Sequence, residues 1–163
     1  MSVPRTWYVL HVKPRTEKKV FDFLAGIRVF HYLPLVKKVT KVQRRRVVRH
    51  LPAFPGYVFT RLNPEERRMV FDTKMIVRTL DVPRPRQLIH ELRQIEHARH
   101  TPAELRAAES YTAGQRVRVV SGPLRGLEGL VKREGRSASL VLELSILGRA
   151  LEASVEPADL QAV

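Results

Sequence analysis

Cysteine is absent from the chain, which rules out disulfides, thiolate zinc sites and a cysteine nucleophile. Long apolar runs are missing too. None approaches the roughly 20 residues that a bilayer span requires, and no apolar stretch with a small-residue cleavage site follows Met1, so a cytoplasmic protein without a membrane partner is expected. No glycine loop ends in Gly-Lys-Ser or Gly-Lys-Thr, and no Ser, His and Asp set stands in a motif context. Neither an enzyme nor a cofactor is therefore expected. His97 and His100 lie three apart without a third ligand in reach, a pattern that surface or capping histidines produce more often than metals do.

Acid is scarce. Lys and Arg number 30 against 16 Asp and Glu, a net charge of +14, and the excess is confined to one part of the chain. Residues 1 to 100 hold 22 basic against 8 acidic side chains, whereas residues 101 to 163 hold 8 of each. A field of that sign favours nucleic acid or an acidic protein surface without specifying either. Its densest part runs from Lys37 to Arg49, where Lys37, Lys38, Lys41, Arg44, Arg45, Arg46 and Arg49 occur with no acid between them. Seven uncompensated charges on a short hairpin repel one another unless phosphates or acidic side chains neutralise them, and of the two nucleic-acid contact is expected there. A solvated, mutually repelling tip is the plain alternative.

At 44% apolar and 28% charged residues over 163 positions, the composition is that of a folded chain of one domain or two small ones. Trp7 to Val12 alternates as a strand, with Trp7, Val9 and His11 on one face. Thr16 is placed to cap a helix whose buried stripe is Val20, Leu24 and Ile27, widened by Phe21. Phe30 to Val39 and Lys41 to Leu51 read as extended segments. Asn63-Pro-Glu-Glu66 predicts a capped helix start with a capping box, followed by Met69, Val70 and Phe71 as its buried side. Met75 to Leu80 reads as a strand, and Leu88, Ile89, Leu92 and Ile95 share one face of a third helix. The order predicts an α+β sandwich with helices on a mostly antiparallel sheet over residues 1–98. Residues 99–113, with Ala103 to Ser110 as a loose helix, read as a linker. From Gly114 to Val163 five short strands predict a small β-barrel.

The stretch around which the chain is organised is Leu51-Pro-Ala-Phe-Pro-Gly-Tyr-Val-Phe-Thr60. Its prolines bias their neighbours toward extended geometry, and Gly56 admits backbone angles or close approaches closed to other residues. Tyr57, Val58 and Phe59 run together, so both faces of this strand are expected to meet apolar surface. Any one of these rings reads as readily as core. Phe-Pro-Gly-Tyr-Val-Phe, an N-terminal Trp-Tyr-Val-Leu strand and a distant Gly-Gln-Arg-Val-Arg-Val-Val-Ser-Gly-Pro-Leu-Arg-Gly segment occur together in that order. The combination resembles the NusG family of transcription elongation factors, and Gly122, Gly126 and Gly129 resemble its KOW motif.

The resemblance implies an NGN-type α/β sandwich joined to an SH3-like KOW barrel, acting as a monomer. It implies docking on the clamp helices of the RNA polymerase β′ subunit through an aromatic-lined pocket, here matched by Trp7, Tyr8, Phe54, Gly56, Tyr57 and Phe59. It also implies a second partner for the barrel, a small-subunit ribosomal protein or Rho, at Tyr111, Leu124, Ile146 and Leu147. Leu124 stands where the family carries Phe, which removes a stacking ring and weighs against Rho. Met75 to Leu80 lacks glycines usual in the general factor and the basic hairpin is heavier, as in specialised antiterminator paralogues. Some relatives read non-template DNA or an RNA hairpin, and the basic excess suits both. In a subset the tail folds as a helical hairpin that masks the polymerase site, against which the β-rich run Ser139 to Ser145 argues. The competing reading is a KOW-containing RNA-binding or ribosome-associated protein without polymerase contact. That reading predicts basic residues on the barrel, which is neutral.

Overall fold

A computed structural model describes residues 3–108 and 114–163. In chain order the elements begin with β1 (Thr6–Val12), α1 (Glu17–Gly26), β2 (His31–Tyr32), β3 (Leu35–Val42), β4 (Arg45–Pro52) and β5 (Tyr57–Leu62). They continue with α2 (Pro64–Asp72), β6 (Ile76–Asp81) and α3 (Pro85–Arg99). The last part is β7 (Arg106–Ala107), β8 (Arg116–Val119), β9 (Glu128–Glu134), β10 (Ser137–Leu144), β11 (Arg149–Val155) and β12 (Leu160–Ala162). Two compact units result: Met1–Leu35 with Leu51–Pro85, and Val36–His50 with Arg86–Val163.

The first unit is built on an antiparallel sheet of order β2-β5-β1-β6. Alternation along β1 sends Tyr8, Leu10 and Val12 to one face, where they meet Val58 and Leu62 of β5, Val20 and Leu24 of α1 and Val70 of α2. The helices sit on this face because only their stripes of apolar residues can complete the core. Helix α2 begins as expected: Asn63 Oδ1 accepts from Glu66 N–H at 2.8 Å and Glu66 Oε1 accepts from Asn63 N–H at 2.9 Å. Two expectations fail in detail. Thr16 occupies the N-cap position of α1, but its hydroxyl donates to the Lys13 carbonyl at 2.6 Å instead of accepting from the helix. Of the expected buried side of α2 only Val70 is inside, while Met69 and Phe71 are 41% and 38% exposed.

In the second unit, β3 and β4 form a two-stranded ribbon, and the remaining strands form a sheet of order β12-β8-β9-β10-β11-β7. This is the β-rich C-terminal part expected, with the tail in strands and not in a helical hairpin. Among the described residues no pairing joins the end strands β12 and β7, so a closed barrel is not seen. Of the loose helix expected from Ala103 to Ser110, the described residues 103–108 are not helical. Leu105 is buried, β7 pairs with β11, and Arg106 holds Glu152 at 3.2 Å. Helix α3 belongs to the same unit: Glu91 accepts from the backbone N–H and hydroxyl of Ser145 at 3.0 and 2.6 Å, and Gln94 donates to the Glu128 carbonyl.

Candidate functional site

The Pro-rich stretch turns the chain into β5 by a chain of backbone bonds. Ala53 N–H donates to the Pro34 carbonyl at 2.8 Å, Tyr57 N–H to Phe54 at 3.2 Å, and the Gly56 carbonyl accepts from Val12 at 2.8 Å. Gly56 N–H also points to the carboxylate of Glu17 at 3.3 Å, which accounts for an acid that is only 9% exposed. Gly56 is required by its φ of +91°, since a Cβ there would only touch the His11 ring at an ordinary 3.7 Å.

The register of β1 with β5 sets Trp7 opposite Arg61, Val9 opposite Phe59 and His11 opposite Tyr57 on the sheet face away from α1 and α2. The six ring-patch positions therefore separate. Phe54 and Phe59 are 2% and 0% exposed, so in this state they lie beneath the surface. Tyr57 is half-buried and stacked flat on His11, with ring centres 5.0 Å apart and planes 20° off parallel. Trp7, half-buried, meets exposed Phe30 at the other end of the same face. Tyr8 faces the helices, with Arg67 5.5 Å from its ring centre. His11 is the main addition to the patch. Alternation placed it on the Trp7 face, but its stacking depends on the pairing of β1 with β5.

The basic ribbon is closed by a two-residue turn with Gln43 and Arg44 at φ of 50° and 65°. Both central residues are left-handed, as in a type I′ turn, a conformation that normally selects Asn or Gly. All seven basic residues are exposed, and none has an acidic partner among the described residues. Val39, Val42 and Val48 are exposed as well, at 44%, 50% and 43%. Strand alternation thus gives the ribbon aliphatic surface beside its charges, a feature that charge counting misses.

In the C-terminal sheet Gly122 and Gly126 take φ of +85° and +95° in the turn after β8. Leu124 is only 3% exposed, while Ile146 and Leu147 are half-buried next to Ser145. Tyr111 lies outside the described residues. The Arg118 guanidinium donates to Glu128 at 2.9 Å and holds its carboxyl below the usual glutamate range. His100 is taken by Glu96 at 2.8 Å, and among the described residues no group of three potential metal ligands gathers. No described helix is long and apolar enough to cross a membrane.

Compared with known proteins, residues 5–101 match the family model described as "Transcription termination factor nusG". No curated protein matches the chain.

Proposed function

The chain belongs to the NusG family of transcription factors, and on that premise we propose that it is an elongation factor that docks on RNA polymerase and suppresses pausing and termination. The docking contact is centred on Tyr57 and His11, with Gly56 shaping the edge and the buried Phe54 and Phe59 as neighbouring apolar residues of the same stretch. The clamp helices of the polymerase β′ subunit are the surface it meets, in the cytoplasm where polymerase and nucleic acid are. The β3–β4 ribbon contacts non-template DNA or an RNA hairpin through its seven cations. The C-terminal sheet recruits a second protein through Ile146 and Leu147, a small-subunit ribosomal protein in preference to Rho. The antiterminator type of paralogue is favoured by the weight of the basic ribbon.

The observation that carries the docking reading is the flat His11–Tyr57 stack, half-buried at one end of a sheet face on which Phe59 is sealed. A ring held by stacking on its neighbour loses little entropy on binding, which is what an interface anchor needs. Tyr57→Ala is expected to lower affinity for purified polymerase by at least about 30-fold, the order of a 2 kcal/mol hot spot, with its melting transition little changed. Undiminished binding of a folded Tyr57→Ala protein refutes the assignment.

A further inference from the structure

At the far end of the same sheet face, β1, β5 and the residue just before β2 bring Trp7, Arg61 and Phe30 together. Trp7 is paired opposite Arg61, and Phe30 directly precedes β2, whose His31 pairs with Thr60. The Trp7 and Phe30 rings meet edge to face at 5.0 Å, and the Arg61 guanidinium carbon lies 5.9 Å from the Trp7 ring centre. Phe30 is 45% exposed, but its backbone is held firmly. The Thr60 hydroxyl donates to the Phe30 carbonyl at 2.6 Å, and Val29 just before it is buried with its N–H bonded to Leu24. Arg28, two residues earlier, is fixed in a left-handed turn at φ 59°. A large apolar ring is thus displayed by an ordered frame with the exposed Arg61 beside its Trp7 neighbour, and neither Arg61 nor the nearby Arg28 has an ion pair among the described residues.

We infer that Phe30, Trp7 and Arg61 form a stacking site for a base of single-stranded nucleic acid, in addition to the basic ribbon. A base needs a flat apolar face with a cation beside it, and sequence-tolerant single-strand binding is built from those two parts. A protein anchor needs a wider apolar surface, and here the neighbouring Val9 and Phe59 are both sealed at 0% exposure. The charge agrees, since the whole positive excess falls within residues 1 to 100. Four residues of strand separate Trp7 from His11, about 13 Å at the rise of a β-strand, so the site does not depend on polymerase docking at Tyr57.

Trp7 is the sole tryptophan, and its emission therefore reports on this cluster directly. The full chain is titrated at low salt with a fluorescein-labelled 12-nucleotide oligothymidylate, following Trp7 emission and, separately, the anisotropy of the label. Saturable quenching is expected. Phe30→Ala should weaken binding about 5- to 150-fold, the range that one stacked base is worth, and Phe30→Tyr should restore it. In Arg44→Gly/Arg45→Ala/Arg46→Ala the affinity falls but quenching at saturation persists. Oligonucleotide binding without any change in Trp7 emission overturns the inference, as does absence of binding or a folded Phe30→Ala protein that binds like the parent. An emission change on adding polymerase but not oligonucleotide would assign the cluster to a protein contact and equally overturn it. Because polymerase affinity is read separately through Tyr57→Ala, failure of one assignment is distinguishable from failure of the other.

Discussion

Removing the three arginines at the ribbon tip tests the nucleic-acid assignment through its salt dependence and not through affinity alone. Each phosphate neutralised on a duplex contributes about −0.9 to the slope of log K against log salt, and about −0.7 on a single strand. If all seven cations between Lys37 and Arg49 engage a duplex, the slope is about −6, and affinity falls by thousands-fold between 50 and 200 mM salt. Arg44→Gly/Arg45→Ala/Arg46→Ala should then flatten the slope by about 2.7 on a duplex or about 2 on a single strand. Glycine replaces Arg44 because its φ of 65° is left-handed, and alanine there would retain the strain of about 1 to 2 kcal/mol that such a conformation imposes on a residue with a Cβ. All three side chains are exposed and without ion pairs among the described residues, so thermal unfolding should stay near that of the parent. Anisotropy of labelled single-stranded DNA and of a labelled RNA hairpin, each measured at four or more salt concentrations, gives the slopes. A slope unchanged by the triple substitution would refute the assignment, because affinity would then come from charges elsewhere.

Phe59→Ala should behave oppositely to Tyr57→Ala: its ring is fully buried, so urea unfolding should show a loss of about 3–5 kcal/mol, a large part of the 5–15 kcal/mol that usually holds a domain. Gly129→Ala would drive a Cβ into the Val141 backbone carbonyl on the paired strand and to 3.1 Å from Leu140 Cδ1; a destabilisation of about 1–3 kcal/mol is expected by calorimetry, with the first unit unaffected. Glu66 is held below its usual pKa, chiefly by hydrogen bonds from Arg5 and also by the Asn63 N–H. Its stabilising contribution is therefore complete above the ordinary glutamate pKa and disappears as pH falls through the lower folded value. Glu66→Gln should lower stability at neutral pH and flatten the acid limb of a stability-against-pH curve, and an unchanged limb would show that the Arg5 pair contributes nothing.

What could be read from the sequence was what neighbouring residues decide. Asn63 and Glu66 satisfy each other across three positions, so the start of α2 was legible, and the family match over residues 5–101 agrees with motifs that are likewise local. Thr16 shows the limit of the same reasoning, because a hydroxyl at an N-cap can bond backward, and the Lys13 carbonyl won that competition. β7 was not legible at all. Two residues form a strand there only because Leu151 and Glu152 of β11, some 45 positions onward, offer a free edge. The same holds for the aromatic patch. Trp7, Tyr8, Tyr57 and Phe59 are equally apolar in sequence, but strand parity sends Tyr8 to the helices, and burial then separates Phe59 from Tyr57.

Parity also ties the proposed function to the fold more tightly than a loop-borne site would be. β1 is an inner strand, and from Tyr8 to His11 each residue is paired on both sides, so its level is fixed twice. Against β6 the register shifts between His11 and Val12. Without that irregularity Ile76 and Arg78, two positions apart, would share a face; with it Ile76 joins the core beside Val12 while Arg78 stands opposite His11. Bulges of this kind re-aim side chains and are frequent beside functional sites. Here the shift adds an exposed cation to the His11–Tyr57 end, so under the proposed docking an acidic neighbour on the partner is expected there. A slip of β1 by one residue would exchange Trp7, Val9 and His11 for Tyr8, Leu10 and Val12, burying the functional rings and exposing the core. The apolar packing of Leu10 and Val12 therefore keeps Trp7 and His11 on the opposite face, and if the proposed docking holds, core substitutions on β1 should impair it even where the protein stays folded.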